Sequence, residues 1–175
     1  LSKRSGKAIT LVTLLDEIPI DAARFFFNMR EPGSTIDFDL GLAVKEDSQN
    51  PVYYCQYANA RICSILRKMK EEGIEPRDCT EEELMLLNAP EERELIRHLS
   101  ALTDEIITAA KDYDPARITR YAVTLATLFH KFYNACRVKG EAEGLMQARL
   151  TLCRATAVVL RNVLTMFNIT VPTSM

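Results

Sequence analysis

Apolar residues recur every three or four positions over most of this chain, the spacing that gives a helix one core-facing stripe. Thr10 to Glu17 shows it over a short stretch. A second helix is expected through Ala22, Ala23, Arg24, Phe25, Phe26, Phe27 and Met29, with Asp21 placed to cap it and Pro32-Gly33 ending it. Residues 35–40 alternate apolar and acidic side chains, which predicts a lone strand or an extended link. From Asn50-Pro51 onward only helices are expected. Residues 51–70 place Cys55, Ala58, Ile62, Ile65, Leu66 and Met69 on one face, and Gly73 and Pro76 stop them. Thr80 followed by Glu83 has the form of a capping box for a short acidic turn. Pro90 opens a helix with Leu95, Leu99, Leu102, Ile106 and Ala109 in register. Pro115 separates it from a helix carrying Ile118, Tyr121, Leu125, Leu128, Phe129, Phe132 and Cys136. Gly140 and Gly144 flank a turn, and the last helix presents Leu145, Ala148, Leu152, Ala155, Val159, Val163 and Met166. Short links between long helices favour antiparallel neighbours. The expected fold is therefore all-α, an antiparallel helix bundle preceded by a short loop and helical segment.

Composition narrows the function classes. With 175 residues, 47% of them hydrophobic, the chain can bury a core without a disulfide or metal staple. No apolar run reaches the roughly 18 residues of a membrane span, so no membrane partner is expected. No signal peptide is expected either, and Leu1 in place of Met suggests a piece of a longer protein. Five cysteines without a Cys-x-x-Cys pair, and only His98 and His130, argue against a zinc site. The cysteines read as small hydrophobes in a reducing, cytoplasmic setting.

Charge divides the chain. Residues 1–70 carry ten Lys/Arg against eight Asp/Glu, residues 71–114 four against fourteen, and residues 115–175 eight against two. A net charge of −2 thus hides a basic end that could meet phosphate. An acidic solvated middle and scattered cations would give the same counts.

One stripe has the chemistry for a ligand. On the helix over 51–70, Tyr54, Tyr57, Arg61 and Lys68 fall within about 60° at roughly 100° per residue, beside the apolar face. Tyrosine rings stack on unpaired bases, and Arg adds stacking or phosphate contact, so the pattern suits single-stranded RNA. It also suits two tyrosines closing the rim of a core. A second group, His130, Tyr133, Asn134 and Arg137, clusters beside the core face of the helix after Pro115 and could bond base edges or tie this helix to a neighbour. No catalytic triad order or Gly-rich phosphate loop stands out, and nothing near Asp37 and Asp39 makes them an acid/base pair.

Five segments, in order, resemble the C-terminal part of arginyl-tRNA synthetase, a class I aminoacyl-tRNA synthetase. Leu1-Ser2-Lys3-Arg4-Ser5-Gly6 is similar to the M-S-K-R-x-G end of the KMSKS loop. Asp21 to Phe27 resembles D-A-x-R-F-F-F, and Ile36 to Leu40 resembles x-D-F-D-L. Asn50 to Arg61 resembles N-P-x-x-Y-x-Q-Y-A-H-A-R, with Asn59 where the family has His. Phe129 to Val138 resembles F-H-x-F-Y-x-x-C-x-V. The resemblance implies the end of a catalytic domain over residues 1–50 and a helical DALR-type anticodon-binding domain over 51–175. It further implies that Tyr54, Tyr57, Arg61 and the C-terminal Met175 meet the anticodon loop of tRNA-Arg; the helical clustering noted above adds His130, Tyr133, Asn134 and Arg137 as candidates for the same partner. Lys3 would be the signature lysine, and Ser2, Lys3 and Arg4 would serve ATP, with Mg2+, only in a parent that also holds a Rossmann catalytic domain. The fragment alone is expected to have no ligase activity and no cofactor. Two other readings stay open at this point: a helical protein-interaction module that uses the acidic 71–114 segment, and the related domain of the cysteinyl enzyme.

Overall fold

A computed structural model describes residues 10–31, 33–35 and 37–175. The signature-like residues Ser2, Lys3 and Arg4 lie outside the described residues. Those described form nine helices and no strand: α1 (Leu11–Glu17), α2 (Ile20–Asn28), α3 (Leu40–Ala43), α4 (Pro51–Glu71), α5 (Glu81–Leu84), α6 (Pro90–Ser100), α7 (Leu102–Asp112), α8 (Ala116–Ala135) and α9 (Glu143–Met166). The alternating 35–40 segment is a link, and its Asp39 caps α3 by accepting from the Leu42 N–H at 2.9 Å. Asn50 starts α4 by accepting from the Val52 N–H while its amide donates to the carbonyls of Ala43 and Lys45, so one buried side chain fixes the entry angle. The Thr80–Glu83 capping box is present.

Helices α4, α8 and α9 pack mutually, α6 lies against α8 and α9, and α2 lies against α4 and α8. One hydrophobic cluster joins Phe25 of α2, Cys55 and Ile62 of α4, Leu95 of α6, Leu125, Phe129 and Phe132 of α8, and Leu160 and Leu164 of α9. The link from Cys136 to Ala142 is short, so α8 and α9 run antiparallel. The start of α9 meets the chain just after α4 through Gln147, which bonds Arg77 N and Glu75 O, while the chain after α9 meets the start of α4. Cys55, Cys136 and Cys153 are buried and all five thiols are free. Burial pushes the Cys153 thiol up to about 12 and the Cys55 thiol higher still, as inert core residues require.

Three local expectations change. The helix opened by Pro90 breaks at Ala101 into α6 and α7. The stripe proposed for α9 is too narrow: Ala148, Leu152 and Val163 are buried as expected and Ala155 and Met166 are exposed, but Leu150, Cys153, Ala157, Leu160 and Leu164 are buried as well, because α9 is packed over a wide arc by α4, α5, α6 and α8. Asp21 does not cap α2, whose N-cap is Pro19. Its carboxylate instead receives Thr170 and Gln56.

Candidate nucleic-acid interface

The stripe on α4 sits at the edge of the bundle where α4, α8 and the C-terminal tail converge. Tyr54, Tyr57 and Arg61 are each half-buried. Arg61 donates to the Tyr57 hydroxyl at 2.7 Å, and its guanidinium carbon lies 4.8 Å from the centroids of both the Tyr57 and Tyr133 rings. A guanidinium close to two phenol rings is a cation–π arrangement, and it fixes the position of the charge at the edge of the bundle. No carboxylate forms an ion pair with Arg61 among the described residues. Tyr53 extends the array: its ring stacks on Tyr57 with centroids 6.4 Å apart and planes 8° from parallel. The i, i+4 spacing of Tyr53 and Tyr57 was a legible sign of this pairing.

Two grooves open on either side of this stack. One, of about 310 Å³, is lined by Tyr57, Arg61, Arg67, Lys68, Tyr133 and Met175, so it unites the α4 stripe, an α8 tyrosine and the last residue of the chain. The other, of about 450 Å³, runs past Tyr53, Tyr54 and Asn134 to Asp47. Lys68 also borders a neighbouring groove with Arg137 and Lys139. Tyr133, Asn134, Arg137 and Met175 are exposed.

His130 belongs to a different layer. It is only 8% exposed, with its ring under Tyr54 at 4.8 Å and under Tyr57 at 5.8 Å. Neither ring nitrogen has a hydrogen-bond partner among the described residues. Burial, reinforced by the Arg61 charge, lowers its pKa to about 4. Of the two roles open to His130, a contact to bases or a tie to a neighbouring helix, its burial fits the second: it is a neutral wedge that props the two tyrosines.

The basic C-terminal region is also more structural than its sequence suggests. Arg117 pairs with Glu105 at 3.0 Å, Arg120 with Asp114 at 3.0 Å, and Lys139 with Glu72 at 2.7 Å. Arg149, 8% exposed, donates to Glu92, 1% exposed, at 2.6 Å, and also to Glu141 and the Arg137 carbonyl. Half of the eight cations of residues 115–175 thus serve the acidic middle segment. The expectation that this region as a whole meets phosphate contracts to the cations that form no ion pair among the described residues, of which Arg137 is the one at the grooves.

Fold and grooves together define a helical bundle with an aromatic and guanidinium platform for flat groups. The chain belongs to the DALR anticodon binding domain family, whose match spans residues 55–175. It is 52% identical over its whole length to the arginine–tRNA ligase of Acetivibrio thermocellus and 50% identical to that of Ruminiclostridium cellulolyticum. It spans 31% of the length of each of these curated relatives. The Thermus thermophilus arginyl-tRNA synthetase structure superposes on 99% of this chain, using 29% of its own length, with a TM-score of 0.78 and 26% identity. The chain thus corresponds to the C-terminal part of arginyl-tRNA synthetases.

Proposed function

We propose that the chain is the anticodon-reading part of an arginine–tRNA ligase, with the Tyr57–Arg61–Tyr133 stack as its reading surface. The observation that carries this is an arginine 4.8 Å from the centroids of two tyrosine rings, ion-paired with no carboxylate among the described residues, at a solvent-open groove. Unstacked anticodon bases would lie against the exposed edges of Tyr54 and Tyr57, with the open N–H donors of Arg61 bonding to them and Met175 closing the end of the groove. Arg67, Lys68 and Arg137 would meet the flanking phosphates, and Tyr133 and Asn134 would offer hydrogen bonds to base edges. His130 would act from beneath by fixing the tyrosines.

In that parent, residues 1–50 would end the catalytic domain, and Ser2, Lys3 and Arg4 would help it use ATP with Mg2+ to join arginine to tRNA-Arg in the cytoplasm. Among the described residues no helix is long and apolar enough to cross a membrane. Filter binding of tRNA-Arg against a transcript with a replaced anticodon tests the reading: tighter binding of the native transcript supports it, and equal affinity contradicts it.

A further inference from the structure

The C-terminal tail is held by polar contacts to residues far away in sequence. Two residues past the end of α9, Asn168 adopts a left-handed φ of 53°, a conformation Asn tolerates better than most residues. This turns the chain back across α2 and α4, and the buried Ile169 pins the turn. Arg24 donates to the Asn168 carbonyl at 2.7 Å. The Asp21 carboxylate accepts from both the backbone N–H and the hydroxyl of Thr170. Gln56 donates to the same carboxylate and to the Thr170 carbonyl, each at 3.0 Å. Asn59, wholly buried, donates to the Pro172 carbonyl at 2.9 Å, three residues before the chain reaches the groove at Met175.

We propose that Asp21, Gln56 and Asn59 form a latch that positions Met175 at the groove, with Asn59 the positioning residue closest to it. This rests on the reading of the groove as an RNA surface. Asn59 and Arg61 sit two residues apart on α4, so one turn of helix both presents the guanidinium and ties down the tail at Pro172, three residues before Met175. Without the latch, five terminal residues would have to be ordered at the moment of binding, which weakens association through lost conformational entropy. The latch orders them in advance. A thioether suits the position, since it packs against flat rings of varied shape.

The test uses the 175-residue chain with Asn59→Leu, Thr170→Val and a version ending at Ser174. Thr170 is exposed, so its variant keeps the test informative should Asn59→Leu fail to fold. Backbone order parameters of residues 171–174 should fall from about 0.8 to below about 0.6 in both latch variants, with the helices unchanged. Affinity for an anticodon stem-loop of tRNA-Arg should fall about tenfold in each latch variant and in the shortened chain. Combining a latch variant with the shortened chain should add little, as expected for groups that act as a unit. A tail that stays ordered in both variants overturns the latch. A disordered tail with unchanged RNA affinity overturns its role in binding. If the unaltered chain does not distinguish the stem-loop from one with a replaced anticodon, the reading of the groove fails, and the order parameters still decide whether the latch exists.

Discussion

Two arginines show how differently one fold uses the same side chain. Arg149 is buried between α6 and α9, and Glu92, Glu141 and the Arg137 carbonyl take its donors. Glu92 also closes α6 by accepting from the Ala89 N–H at 2.8 Å, so the pair locks a helix start to a neighbouring helix. Arg61 is half-buried between Tyr57 and Tyr133, and the Tyr57 hydroxyl is its one hydrogen-bond acceptor among the described residues. A guanidinium has five N–H donors. Where protein acceptors take three of them, as at Arg149, the residue serves the fold. Where the protein supplies ring faces and leaves the donors open, the residue is held ready for something else.

The largest effect expected is on stability. Glu92→Ala leaves Arg149 charged and nearly buried, and should cost about 3 kcal/mol, the low end for a broken buried pair because Glu141 still faces it. Urea unfolding measures this. The double change Glu92→Met with Arg149→Leu should recover most of the loss, since apolar packing replaces a buried pair at little net cost. Neither change should alter RNA affinity per folded molecule by more than about threefold; a larger loss would mean the two arginines are not separate devices. Tyr57→Ala sharpens the other side. It should weaken binding of the anticodon stem-loop by about 1–3 kcal/mol, the worth of one stacked base, while shifting the unfolding midpoint far less than Glu92→Ala does. Fluorescence anisotropy would read the first quantity and the same urea titration the second.

The smallest effect concerns His130. Its folded pKa of about 4 lies below the roughly 6.5 of an exposed imidazole, so the unfolded chain binds a proton that the folded chain refuses. The associated stability is full above pH 6.5 and is lost as the pH falls toward 4. Melting temperatures at pH 7 and pH 5 should therefore differ by a few degrees more in the unaltered protein than in His130→Gln. An equal fall in both would show that the ring is solvated rather than wedged beneath the tyrosines.

Much of this arrangement was legible before the fold. The α4 stripe followed from 100° geometry, the Asn50-Pro51 start from capping chemistry, and the short acidic α5 from its capping box, because each depends on residues within a few positions of one another. Arg149 counted as one cation among eight, since nothing within its own helix reveals that Glu92, 57 residues earlier, lies opposite. His130 fell beside the core face by periodicity, yet only the packing of α4 against α8 puts two tyrosine rings over it. The break at Ala101 carries neither Gly nor Pro to announce it. Asp21 looked like a cap because it sits in the first turn of α2, whereas its partners arrive from the far end of the chain. The tail contacts were invisible for the same reason.

The most direct test of the reading surface is an NMR titration of the labelled chain with the tRNA-Arg anticodon stem-loop. Signals of Tyr57, Arg61, Tyr133 and Met175 should move together at the lowest RNA ratios, with those of Glu92 and Arg149 unmoved. Shifts confined to α6 and α7, or spread evenly over the exposed cations with the Tyr57 and Tyr133 rings silent, would contradict it.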